Sequence, residues 1–233
     1  MGLNETEEDH TEDKQKAKLR KMSERAYSIE SNSFKIIEAE IGKHSYNSLE
    51  WPVVKRAIHS TADFDFAGSH GIVFGKDVFT SAFEAIRKRC SIVTDVEMVQ
   101  VALNKTLISS LGLRTVCNIS SEAVLKESRA LNKTRSEVAM RYSAEDIAGG
   151  IVAIGNAPTA LYETIKMINE GIVSPALVVG LPVGFVSAME SKRELAMTKI
   201  PFITNTGRKG GSAVASSIVN AVLLLYQQTL SET

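Results

Sequence analysis

From residue 90 onward the chain alternates short runs of β-branched and aliphatic residues with segments of helical length, and this rhythm restricts the fold more than any other feature. The runs are Ser91–Thr94, Thr115–Asn118, Ile151–Ile154, Ala176–Val179 and Pro201–Thr204. Between them lie Glu97–Leu111, Ser136–Ile147 and Thr159–Asn169, each long enough for a helix. Short apolar runs fit strands buried on both faces, and such strands separated by helices make a parallel sheet covered on each side. With right-handed crossovers, the expected fold is a three-layer α/β/α domain around a mostly parallel, five-stranded sheet of flavodoxin-like order. The first 90 residues read as more helical, with Ser33–Ile41 and Leu49–His59 as the candidate helices.

Composition decides what kind of partner such a domain can hold. Hydrophobic residues make up 44% of the 233 positions and charged residues 23%, enough for a substantial core. The 27 Lys and Arg balance the 27 Asp and Glu, so no global field draws the protein to nucleic acid or membrane. An anionic ligand must therefore meet basic groups placed locally. Cys90 and Cys117 form no C-x-x-C pair, which speaks against a disulfide framework and a cysteine-rich zinc site and for two thiols in a reducing compartment. The first residues lack the apolar stretch of a secretory signal. The run Ile218–Tyr226, broken by Asn220, is shorter than the roughly 20 residues that span a bilayer. A cytoplasmic location is expected. Residues 1–25 are dense in charge and poor in large apolar side chains, so a mobile or loosely helical tail is expected there, ahead of a single domain over 26–233.

In open α/β sheets ligands sit beyond the carboxyl ends of the strands, where helix N-termini offer free N–H groups. Three segments follow the last three strands. Gly155-Asn-Ala-Pro-Thr-Ala160 has a proline suited to a first helical turn and two side chains, Asn156 and Thr159, able to hydrogen-bond there; a well-capped βα turn explains it equally. Gly180-Leu-Pro-Val-Gly-Phe-Val186 lets a ligand approach the backbone. Glu190 and Lys192 follow it, although a solvated helix face is their commoner fate. Gly207-Arg-Lys-Gly-Gly-Ser212 places Arg208, Lys209, three glycines and Ser212 at a helix start, a suitable anion cradle or else a flexible turn with surface charges. Neither a G-x-x-x-x-G-K-[ST] loop nor a G-x-G-x-x-G fingerprint is present.

His59 stands apart from the other histidines. His10 lies in the charged segment, and His44 and His70 lie in loops, whereas His59 ends an amphipathic helix, three residues after Arg56 and four before Asp63. A lone histidine is ordinarily a surface or satisfied core residue. Imidazole is nonetheless the side chain whose ordinary pKa best suits proton donation near neutral pH. Neither G-x-S-x-G nor H-E-x-x-H occurs, so hydrolase and zinc-protease readings have no support. Arg135, in Thr134-Arg135-Ser136, opens another helix against the dipole and so points to a ligand or a carboxylate partner.

Taken in order, these segments resemble the precorrin-8X methylmutase family. The resemblance runs from Ser33-Phe34 through Arg56-x-x-His59, Thr94-Asp95-x-x-Met98-Val99, Thr134-Arg135-Ser136 and Gly155–Ala160. It continues through Pro182–Val186, Glu190-Ser-Lys192, Gly207–Ser212 and Asn220-Ala221, covering about residues 30 to 225. It implies an α/β/α fold, a homodimer with active sites at the interface, a corrinoid tetrapyrrole substrate, and no metal or organic cofactor. The implied reaction is migration of a methyl group from ring carbon 11 to ring carbon 12, giving hydrogenobyrinic or cobyrinic acid. The family's catalytic histidine falls on His59, its substrate-contacting serine on Ser33 and the arginine of its T-R-S motif on Arg135. Arg56, Arg208 and Lys209 join Arg135 as candidates for substrate carboxylates. Asn156, Thr159, Lys192, Gly211 and Ser212 complete the expected substrate-binding set. The charged segment before residue 28 is longer than most members carry, and Ala62 stands where many have glycine. Two other functions compete with this one: a non-catalytic corrin-binding protein, and a flavin or nucleotide module. The second lacks a phosphate loop after its first strand, where Asp95-Val-Glu-Met98 is acidic and free of glycine.

Overall fold

The computed structural model describes residues 24–231. Residues 1–23 of the charged segment lie outside them, and residues 24–41 form a helix, α1, which belongs to a unit of its own. From His44 onward the chain makes one compact unit. It begins with α2 (Glu50–Thr61), a one-turn 3₁₀ helix (Phe64–Phe66), β1 (Ile72–Phe74) and α3 (Val78–Arg87). There follow β2 (Ser91–Thr94), α4 (Glu97–Val101), α5 (Lys105–Ser110), β3 (Arg114–Val116), α6 (Glu122–Leu131), α7 (Arg135–Tyr142) and α8 (Ala144–Ile147). The last third is β4 (Ile151–Ile154), α9 (Pro158–Asn169), β5 (Leu177–Gly180), α10 (Ala188–Ala196), β6 (Phe202–Asn205) and α11 (Ser212–Ser231).

The sheet order is β1-β6-β5-β4-β2-β3, with every pair parallel except β1 against β6. Its five parallel strands are the five expected, in flavodoxin-like order. The sixth strand, β1, corrects the expected count. It has three residues between Gly71 and Gly75, too few to show a period, and it closes the β6 edge by pairing Val73 with Thr204. Two helices expected as continuous are also broken. Asn104 caps α5 by accepting from the Leu107 amide (3.1 Å), and Ser143 separates α7 from α8.

Alternate strand residues explain the layers. Val93, Val152, Ile154 and Val178 pack with Leu161, Ile165 and Met167 of α9 and Leu195 of α10. Ile92, Ala153, Val179 and Ile203 are equally buried and, by strand alternation, face the other side. There α11 packs on β4 and β5 and against α2, α3 and α4. By length and composition α11 is apolar enough to cross a membrane. Its Val214, Ala215, Ile218, Val219, Val222 and Leu223 are instead the core of this layer. Truncating any one of these Leu or Ile side chains to alanine costs about 2–5 kcal/mol.

Candidate active site

The strand order reverses between β2 and β4, so the crevice beyond their carboxyl ends is the place for a ligand. The main-chain turns there interlock. Gly155, just after β4, has no room for a side chain: a Cβ would lie 2.8 Å from Cα of Ser212 and 3.0 Å from the Gly211 carbonyl oxygen. Gly210 is likewise pressed against the segment after β5, where a Cβ would meet the Leu181 and Pro182 carbonyl oxygens at 2.3 and 2.7 Å. Amide bonds complete the join: Leu181 N–H donates to Ile154 O (2.8 Å), Gly211 N–H to Leu181 O (2.9 Å) and Gly184 N–H to Arg208 O (3.1 Å).

Asp95, the residue after β2, ties this floor together. It is fully buried and accepts the amides of Gly155 on one oxygen (3.0 Å) and of Asn156 and Ala157 on the other (both 2.8 Å). Burial holds its carboxyl above the usual range, against the three N–H donors that pull it down. In the sequence Asp95 counts as a sign against a phosphate loop and as part of one segment of the family resemblance, with no role given to it. An acid placed directly after a buried strand, where a turn presents free amides, is the signal that could have found it.

Of the expected site residues, Asn156, Thr159, Arg208, Gly211 and Ser212 come together at this edge. Asn156 is exposed, Thr159 half-buried in the first turn of α9, and Gly211 and Ser212 half-buried where α11 begins. The Arg135 segment joins them. Thr134 caps α7 in a reciprocal box with Glu137, its hydroxyl lies 3.1 Å from that of Thr159, and Arg135 follows, exposed. The guanidinium of Arg208 sits 5.7 Å from the ring centre of Phe185, an aromatic 88% exposed. Val186 is 81% exposed beside it. Arginine caught on an open aromatic face suits a flat anionic ligand.

His59 is exposed in the last turn of α2, and Arg56 is half-buried one turn earlier. The helix stops at Ala62, which takes a left-handed conformation (φ 51°, ψ 33°). Two contacts tie this helix end to α11 and to the glycine turn that precedes it. The Ser60 and Ser217 hydroxyls are 3.0 Å apart, and the Lys209 ammonium lies between Asp63 (2.7 Å) and Asp65 (2.6 Å). Those carboxylates push the Lys209 ammonium up and are partners that the sequence does not reveal. Lys192 is 1% exposed and reaches underneath the turn, donating to the Gly207 (3.0 Å) and Lys209 (2.5 Å) carbonyls. Ser33 belongs to α1, where its hydroxyl donates to Ile29 O (2.9 Å). Among the described residues, no group of three or more His, Cys, Asp and Glu is arranged to hold a metal ion.

Known proteins match most of the chain. The family model described as precorrin-8X methylmutase matches residues 28–225. The cobalt-precorrin-8 methylmutase of Priestia megaterium is 47% identical over 197 residues, covering 84% of this chain and 87% of the relative. That of Leptospira interrogans is 41% identical over 215 residues, covering 89% and 97%. Among solved structures, the precorrin-8X methyl mutase of Thermus thermophilus superposes with a TM-score of 0.80 at 36% identity, covering 87% of this chain and 97% of its own.

Proposed function

Since this chain belongs to the precorrin-8X methylmutase family, we propose that His59 is the acid of its methyl migration and that the carboxyl edge of the sheet is the bed for a corrinoid ring. The chain is an isomerase of cobalamin biosynthesis, acting on precorrin-8X or cobalt-precorrin-8. The methyl group moves between neighbouring ring carbons of a conjugated macrocycle, so atoms and electrons balance within the substrate. Such a sigmatropic shift calls for no redox partner. On this reading the enzyme uses no cofactor, and any cobalt belongs to the substrate.

The ring is broad, nearly flat and rimmed with carboxylates, so its bed needs an apolar surface with cations at the edge. Phe185 and Val186 supply the first; Arg208, Arg135 and Arg56 supply the second, with arginine forks fixing orientation as well as charge. Asn156, Thr159, Gly211 and Ser212 offer short polar groups between them, and Ser33 is assigned a substrate contact by the family motif. Protonated His59 donates to a ring nitrogen or carbon near the migration site, draws π-density toward it and lowers the barrier. The proton returns to the imidazole as product forms. Positioned acids contribute about 10²- to 10⁴-fold, and the rest comes from holding the ring in a geometry close to the transition state. Exposed apolar side chains at the edge fit a homodimer whose sites lie at the interface, in a cytoplasmic enzyme.

One observation carries this reading: the segment that follows α2, whose last turn bears His59, is joined through Lys209 to the glycine turn that carries Arg208. The test is His59→Ala, followed by the visible spectrum of the substrate. Turnover should fall by about 10²-fold or more with the melting temperature unchanged; turnover near that of the unaltered enzyme would exclude His59 as the acid.

A further inference from the structure

We propose that Lys209 is a positioning residue, a clamp that sets His59 against the glycine turn, rather than a contact for substrate carboxylates. This rests on His59 being the acid. The Lys209 ammonium already holds two carboxylates, Asp63 Oδ2 at 2.7 Å and Asp65 Oδ2 at 2.6 Å, both in the segment that directly follows the helix of His59. Two carboxylates already outweigh its single positive charge, so the one N–H left over is a poor grip for a third anion.

The segment on the aspartate side is stiffened locally. The other oxygen of Asp63 accepts the Asp65 amide at 3.0 Å and caps the 3₁₀ helix, so the Asp63 carboxylate is held in one orientation and the backbone that carries Asp65 is fixed with it. The backbone on the lysine side is fixed as well. The Lys209 carbonyl accepts from Lys192 Nζ (2.5 Å) and from Asn205 Nδ2 (3.1 Å), and the Gly207 carbonyl accepts from Lys192 (3.0 Å). A second strap lies close by, where the Thr206 hydroxyl donates to Ser69 O at 3.3 Å. The distance between His59 and Arg208 is thus set by a chain of short, directional contacts through Lys209. Arg208, next in sequence, is left to face outward over Phe185.

The clamp is partly open to water, with the Lys209 side chain 43% exposed, and exposed ion pairs add little to global stability. Its loss should therefore appear in catalysis and local motion before it appears in folding. Misplacing a catalytic group by about 1 Å can cost about 10²-fold. Lys209→Met should lower kcat by about tenfold or more while KM stays within about twofold. The paired change Asp63→Asn with Asp65→Asn should do the same, and all three together should be no worse than either alone, because they remove one device. Lys209→Arg should restore most of kcat. Backbone amides of residues 62–70 should exchange faster in Lys209→Met and in the aspartate variant, a readout independent of turnover.

A raised KM with kcat intact in Lys209→Met, or losses that multiply when the lysine and aspartate changes are combined, overturns the proposal in favour of direct substrate contact. Should Lys209→Met fail to fold, the aspartate variant, which keeps the lysine, carries the same test. His59→Ala in the same assay separates the two ideas. If it retains turnover, the acid assignment fails on its own, whereas the coupling of Lys209 to the aspartates is still read from exchange.

Discussion

Replacing Lys192 by methionine should change how stability depends on pH. The side chain is 1% exposed and donates to two carbonyls, those of Gly207 and Lys209. A neutral amine has two N–H groups, enough for both. Burial accordingly pulls its pKa down to about 7, against about 10.4 in an unfolded chain. Between those values the unfolded state binds a proton that the folded state does not, so stability increases with pH. The contribution is fully present above about 10.4 and is lost as pH falls through about 7, with a slope of at most about 1.4 kcal/mol per pH unit. Lys192→Met keeps an apolar stem of similar length and cannot titrate. At neutral pH it leaves the Gly207 carbonyl without that donor, at a cost of about 1–3 kcal/mol, offset by no longer burying an amine that can charge. Urea unfolding of both proteins at pH 7, 8 and 9 isolates the effect, because every other titrating group cancels in the difference. The stability advantage of the unaltered chain should widen by about 1 kcal/mol per pH unit. A difference flat to within about 0.5 kcal/mol across that range would show that Lys192 stays charged when buried, and the assignment of a neutral amine would fall.

Two further outcomes concern the floor and the end of α2. Asp95→Asn has one acceptor oxygen for three amides, leaving the Gly155 N–H facing an NH₂ group; the loss should be about 2 kcal/mol, or a melting temperature about 4–8 °C lower, and calorimetry showing no shift would refute the role given to Asp95. Ala62→Gly should relieve the left-handed strain at the end of α2 and stabilise by about 0.5–1 kcal/mol, read as a small rise in the urea midpoint; a fall would mean that the alanine methyl is held by packing.

How much of this is written in the sequence depends on the range of the interaction. The five parallel strands are contiguous runs buried on both faces, so composition alone locates them within a residue or two. β1 escapes because three residues at an antiparallel edge carry no period. The break between α4 and α5 depends on Asn104, whose amide donates to Asn220 Oδ1 at 2.8 Å from a distant helix, and no local pattern announces that. At the site, the turns after β4, β5 and β6 are legible because strand ends locate them. The clamp role proposed for Lys209 is not. A lysine among glycines looks like an anion grip until Asp63 and Asp65 are folded onto it. Lys192 reads as a substrate contact or else as part of a solvated helix face, and only the depth of α10 beneath the turn puts its nitrogen on carbonyls.

The bed of the site is main chain laid against main chain at Gly155 and Gly210, with contacts too close to admit even a methyl group. On the proposed reading, divergence in what such a site accepts is therefore confined to its border, to positions such as Phe185, Arg208 and Arg135 that project from the edge. A lineage could retune its ring preference by exchanging those side chains, but any attempt to carve the floor would first have to pry the interlocked turns away from each other.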